Sequence, residues 1–175
     1  EGKNDEGTFP FIPGHEWAGE VVAWGENVEG FERGDRVVPN PMLVCGTCYN
    51  CMRGLYSFCE NLQRGRVRGG FAEYGTAPVA SLHKIPDSVS YLQASFGEPL
   101  ACCTHGSKQS QIRFGADVVV VGAGQIGLMH LQLAKISVAR VMLKDILPDR
   151  LEKAEELGAD VVINAGEGDP VERVR

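Results

Sequence analysis

The sequence predicts a two-part fold of class α/β plus β. A β-rich first part forms a barrel or folded sheet, and the opening of a parallel-sheet domain follows it. Three observations carry this reading. Short apolar runs between Glu16 and Pro86 are cut by Gly and Pro, as in barrels rather than βαβ units. From Asp117 onward the pattern is strand, glycine turn, helix, strand, helix, strand, the order of a parallel sheet. In the first part, the stretch CGTCYNCMRGLYSFC packs four of the chain's six cysteines into residues 45–59.

The elements follow in order. EWAGEVVAWG mixes β-branched and aromatic residues and is expected as a strand ending at Gly25. ERGDRVVP is a Gly-Asp turn into a short strand that Pro39 ends. FAEYGTAPV alternates and is expected as another strand, and LHKIP as a short strand closed by Pro86. From about residue 88, SVSYLQASFGEPLACCTHGSKQ has helical spacing, with breaks expected at Gly97 and Pro99. DVVVVGAGQIGLMHLQLAK reads as a buried strand, a glycine turn and an amphipathic helix. RVMLKD and DVVIN are two further strands. PDRLEKAEELGA between them is a helix with Pro148 near its start and Gly158 past its end. The first helix ends in KISVARV, where Val138 stands in the place of a C-terminal glycine. A β-branched residue at positive φ is strained by roughly 1–3 kcal/mol, so a different terminating turn is expected there.

The boundary is placed near residue 111, giving parts 1–110 and 111–175. A hydrophobic share of 43% with 23% charged residues is ordinary for a globular protein. A net charge of −6 argues against general affinity for nucleic acid or anionic membranes. No apolar run is long enough to cross a bilayer, and no signal-peptide core opens the chain. The start EGKNDEG is polar and patternless, and DPVERVR reads as a helix just beginning. Together with the lack of an initiator Met, these ends lead to the expectation of an internal piece of a longer protein.

The cysteine spacing is C-x2-C-x2-C-x7-C, with Cys45, Cys48, Cys51 and Cys59. Tetrahedral Zn²⁺ takes four thiolates at about 2.3 Å, which suits closely spaced ligands on a tight loop. Disulfides between residues three apart are geometrically awkward, and nothing points to secretion, so zinc is the favoured reading. Four protein ligands leave no open position, which makes this a structural site.

Gly122, Gly124 and Gly127 form G-x-G-x-x-G between a strand and a helix. The first glycine allows the tight turn, the second lets backbone approach a pyrophosphate, and the third permits close helix–strand packing. The helix N-terminus then offers free N–H groups to the phosphates. Asp145 lies 23 residues beyond Gly122 at the end of the second strand. A carboxylate there accepts from the ribose 2′-OH of NAD and repels the 2′-phosphate of NADP.

PGHEWAGEV carries His15 and Glu16, and FGEPLACCTHG carries Glu98; each is weak on its own. His83, His105 and His130 read as ordinary core or surface residues, and Cys102 and Cys103 as small packing residues. In order, GHE, GDRVV, the cysteine lobe, GEPLA and VVVVGAGQIG resemble the zinc-containing medium-chain alcohol dehydrogenases. The glutamate of EPLA resembles the polyol (sorbitol-type) and threonine dehydrogenase branch. The resemblance implies a GroES-like catalytic domain over residues 1–110, with a structural zinc lobe at 45–59. It implies a partial Rossmann NAD-binding domain over 111–175.

On this resemblance His15 is a catalytic zinc ligand. Glu16 is a ligand in some states or a support beside the metal, and Glu98 completes the site directly or through water. Gln125, Ile126, Asp145 and Arg150 join the glycines in binding NAD. The family's remaining cysteine ligand and its proton-relay hydroxyl residue belong to a segment ahead of GHE, so these 175 residues alone are expected to be inactive. The implied reaction is hydride transfer between a secondary alcohol, polyol or threonine-like, and NAD. A simple-alcohol dehydrogenase and a non-catalytic NAD- and zinc-binding protein are the alternatives. A cytoplasmic homodimer or homotetramer, with no nucleic-acid or membrane partner, completes the expectation.

Overall fold

A computed structural model describes residues 12–62, 67 and 69–174; the EGKNDEG start lies outside the described residues. These residues fall into two compact units, one up to Glu98 and one from Pro99 onward.

The first unit holds an antiparallel sheet of β1 (Gly19–Glu20), β2 (Arg36–Pro39) and β3 (Leu82–Lys84), in that order. Val37 pairs with Gly19 on one side and Lys84 on the other. Arg36 fixes the segment after β3: its guanidinium donates to the carbonyls of Pro86, Asp87 and Val89 and lies 4.5 Å from the ring centre of Tyr91. Two expected strands fall short. EWAGEVVAWG is a strand only at Gly19–Glu20. Val21 still exchanges backbone bonds with Asp35 and Gly34, but among the described residues no strand lies beside Val22–Gly25. Val22 and Trp24 consequently stay exposed along an apolar cavity. FAEYGTAPV alternates in sequence yet forms no strand, because alternation without a partner ladder fixes no backbone. The described sheet is open, so no closed barrel is seen.

A short helix α1 (Tyr49–Met52) and the 3₁₀ turn Tyr56–Phe58 shape the cysteine lobe. After β3 come α2 (Tyr91–Ser95) and α3 (Gly97–Ser110). A capping box starts α2: Ser90 accepts from the Gln93 N–H, and the Gln93 side chain accepts from the Ser90 N–H. Gly97 and Pro99 do not break the helix. Both lie in the first turn of α3, where proline's missing N–H costs nothing, and the break falls at Phe96.

The second unit carries a parallel sheet β4 (Asp117–Val121), β5 (Arg140–Asp145) and β6 (Val161–Asn164), in sequence order. Val119 pairs with Met142, and Leu143 with Val162. The crossover helices are α4 (Gln125–Ile136) and α5 (Pro148–Glu156), and α6 (Pro170–Val174) follows β6. The core is Val120, Leu131, Ala134, Val141, Leu143, Leu151 and Ala154, which closes helices onto the sheet. Small alanines at 134 and 154 let the helices come close.

The end of α4 corrects the expectation for Val138. This residue does adopt positive φ, at 54°. Its N–H donates to the Lys135 carbonyl at 2.9 Å, and the Ala139 N–H donates to Ala134 at 3.2 Å. That pair of bonds is the Schellman closure normally made with glycine. The closing bonds and the buried Ala139 outweigh the strain of the branched side chain.

Candidate functional site

The described residues contain two clusters of metal-binding side chains, one at Cys45, Cys48, Cys51 and Cys59 and one at His15, Glu16 and Glu98. Within each, ligand atoms lie within 4.8 Å of one another. Both belong to the first unit.

In the cysteine lobe all four thiols are unbridged, which removes the disulfide alternative among them. Four thiolates at about 2.3 Å from a tetrahedral zinc lie about 3.8 Å apart. The Sγ atoms of Cys45 and Cys59 are 3.6 Å apart, and those of Cys45 and Cys51 are 3.9 Å apart. Backbone N–H groups aim at the sulfurs: Cys48 N–H at Cys45, Cys51 N–H at Cys48, and Cys45 N–H at Cys59, at 3.3–3.4 Å. Positive φ at Gly46 and Gly54 gives the loop these reversals. N–H groups of Thr47 and Cys48 bring the Cys45 thiol down to about 5. Burial pushes Cys51 up to about 12. One thiol ready to ionise beside one that needs a cation is a donor set suited to Zn²⁺, so the residues fit the metal.

The second cluster is set by backbone around Gly14, which has φ 95°. Its carbonyl accepts from the N–H groups of Gly69 and Gly70, and the Pro13 carbonyl accepts from the Phe71 N–H. A Cβ at Gly70 would stand 2.6 Å from the Trp17 ring, so the loop pair closes only with glycine there. Trp17 also donates its indole N–H to Val67. These ties hold His15 and Glu16 where Glu98 in the first turn of α3 meets them. His15 and Glu16 are exposed and Glu98 half-buried. One imidazole and two carboxylates form a hard donor set that fits zinc and could hold it. The sequence singled out His15, Glu16 and Glu98 but not Gly70, whose only signal is the GG pair ahead of Phe71.

The glycine turn lies in the second unit, between β4 and α4. Gly122 has φ 96°. A Cβ on Gly127 would stand 1.8 Å from the Gly122 carbonyl oxygen, so that glycine serves helix–strand packing. Gly124 differs. Its φ is −73°, and a Cβ there would meet nothing within 4 Å. The fold does not require glycine at 124, and the open space is what a backbone-hugging pyrophosphate needs; the residues fit a dinucleotide. Gln125 and Ile126 open α4, with Ile126 half-exposed. Asp145 ends β5, and the Arg150 guanidinium on α5 is 4.0 Å from its carboxylate. N–H groups, first that of Ala123 and then that of Leu147, hold the Asp145 carboxyl below the usual carboxylate range.

The remaining residues behave mostly as expected. His83 and His105 are exposed, and His130 Nδ1 lies 3.4 Å from the Ser107 hydroxyl. Cys103 is buried against Met129, but Cys102 is exposed, so the packing reading holds only for the former.

The family model described as "Alcohol dehydrogenase GroES-like domain" matches residues 1–87, and that described as "Zinc-binding dehydrogenase" matches residues 126–175. A D-altritol 5-dehydrogenase of Agrobacterium fabrum is 41% identical over 169 residues, covering 93% of this chain and 50% of its own. An L-threonine 3-dehydrogenase of Francisella philomiragia is 42% identical over 161 residues, covering 90% of this chain and 46% of its own. A zinc-binding dehydrogenase of Sinorhizobium meliloti, solved bound to NADP, superposes with a TM-score of 0.88 at 38% identity. That match covers 94% of this chain and 49% of the other. The chain spans about half the length of the curated relatives it matches. Among the described residues no helix is long and apolar enough to cross a membrane.

Proposed function

The chain belongs to the zinc-binding alcohol dehydrogenase family, and from that premise we propose that the whole protein couples oxidation of a secondary alcohol, of polyol or threonine-like type, to reduction of NAD. The observation that carries the proposal is the meeting of His15, Glu16 and Glu98 within 4.8 Å, apart from a four-cysteine lobe that has no open position. His15 would hold the catalytic zinc through a ring nitrogen, and Glu16 and Glu98 would bind it directly or hold a water beside it. When bound, zinc supplies a Lewis acid that lowers the pKa of a substrate hydroxyl, and NAD supplies the hydride acceptor. An imidazole–carboxylate set keeps the metal hard, which suits substrates rich in hydroxyl oxygens.

The second unit supplies the cofactor's binding groups. The Gly122–Gly127 turn and the first N–H groups of α4 receive the pyrophosphate. Asp145, Ile126 and Arg150 surround the adenosine half. The Asp145 carboxylate disfavours a 2′-phosphate, so NAD is the preferred form. On the same reading residues 1–110 form the catalytic part and 111–175 the nucleotide part. The full-length protein then works as a cytoplasmic homodimer or homotetramer.

The experiment is a substrate panel on the full-length protein: sorbitol, xylitol, threonine and ethanol, each with NAD and with NADP, before and after chelation. Chelation-sensitive NADH formation with a polyol or threonine is expected. Turnover that survives complete zinc removal, or none with any alcohol, would overturn the proposal.

A further inference from the structure

The Asp145 carboxylate ties two chain turns together. Its Oδ2 accepts from the Ala123 N–H at 2.7 Å, in the middle of the Gly122–Gly124 turn. Its Oδ1 accepts from the N–H groups of Ile146 at 2.7 Å and Leu147 at 2.9 Å, at the entry to α5. Beside it, the Gly122 N–H donates to the Lys144 carbonyl at 2.8 Å. The side chain is only 7% exposed, so these bonds compete little with water. An ionised carboxylate offers about four lone-pair positions, and three N–H groups already use this one. At most one ribose hydroxyl finds a place there.

We propose that Asp145 is a positioning residue for the pyrophosphate turn, acting on NAD and NADP alike rather than only choosing between them. The proposal rests on reading the turn as a dinucleotide site. Ala123 stands between the glycine that makes the turn and the glycine that faces the phosphates. Only Asp145 among the side chains described bonds its N–H, so this bond sets the direction of the peptide planes on either side. Both oxygens must accept at once. Asparagine cannot reproduce that, because its amide nitrogen would face one of the N–H groups donor to donor. The low carboxyl pKa of Asp145 agrees with this, since the Ala123 N–H is its foremost cause.

A pure discriminator and a brace respond oppositely to Asp145→Asn. If Asp145 only repels a 2′-phosphate, removing its charge tightens NADP. If it braces the turn, both nucleotides weaken. The test uses the full-length protein with two readouts: amide exchange of Ala123 by NMR without cofactor, and Kd for NAD and for NADP. In Asp145→Asn, Ala123 exchange is expected to rise about tenfold while Val120 in β4 keeps its protection. Both Kd values are expected to weaken by about tenfold or more. Unchanged Ala123 exchange, or tighter NADP binding, overturns the proposal. Should Asp145→Asn fail to fold, Asp145→Glu keeps the charge but shifts the oxygens, and it should weaken both nucleotides; unchanged binding overturns the proposal. If the wild-type protein binds neither nucleotide, the dinucleotide reading fails, and Ala123 exchange still decides the brace.

Discussion

A methyl group on Gly127 would stand 1.8 Å from the carbonyl oxygen of Gly122, whereas one on Gly124 would touch nothing within 4 Å. Two glycines of one motif therefore answer to different demands. Gly127→Ala forces helix and strand apart and is expected to destabilise by about 1–3 kcal/mol. Gly124→Ala is expected to leave stability within about 0.5 kcal/mol. Its methyl occupies the cofactor's space, so NAD affinity should fall about tenfold or more. Urea unfolding and calorimetric titration of both variants check the split. Equal losses of stability in the two would contradict it.

The strained end of α4 offers a second test. Val138 holds φ 54° in a closure that glycine makes without cost. Val138→Gly removes the strain but adds backbone freedom to the unfolded chain, for a net gain of about 1 kcal/mol. A rise in Tm measured by calorimetry is expected; a fall would mean that the side chain contributes more packing than its half-exposed position implies.

How far the sequence carried the account varied with the kind of residue. The cysteine lobe and the glycine turn were legible because their residues lie close in sequence and their spacing encodes geometry. Asp145 was legible by its distance from Gly122, but its bond to Ala123 was not, since that bond exists only once β4 and β5 pair. FAEYGTAPV misled because alternation reports a side-chain pattern, not a partner strand. Val138 misled because local strain was weighed without the closing bonds from Val138 and Ala139 that offset it. Glu98 joins His15 across 83 residues, and only the resemblance to a family, not spacing, paired them before the fold was seen.

Acid should weaken the second unit through two aspartates. N–H donors, first Ala123, lower the pKa of Asp145, and Lys135, with the Val141 N–H, lowers that of Asp160. A carboxylate whose folded pKa lies below its unfolded value stabilises above about pH 4. That contribution is lost as pH falls through the folded pKa. Unfolding free energy measured from pH 6 down to pH 2.5 is expected to fall with a slope that is shallower in Asp160→Asn. Identical slopes would contradict the assignment.

Removing one cysteine should separate structure from catalysis. Cys59 is buried and its sulfur lies 3.6 Å from Cys45. Cys59→Ala leaves three thiolates around the structural zinc, so the full-length protein should lose that metal and about 2–5 kcal/mol of stability. Metal analysis and chemical denaturation check both. Full zinc content with unchanged stability would contradict the structural role.

The most direct measurement of the central claim is made on His15→Ala in the full-length protein: zinc content, Tm and NAD-coupled turnover, beside wild type. His15 is exposed and absent from the buried core residues, so Tm should stay within a few degrees. Zinc held with Glu16 and Glu98 should be lost while that of the cysteine lobe remains. Turnover should fall about a thousandfold or more, the scale of losing a metal's charge stabilisation. Wild-type turnover in this variant, or loss of the cysteine-lobe zinc in place of the other, would contradict the account.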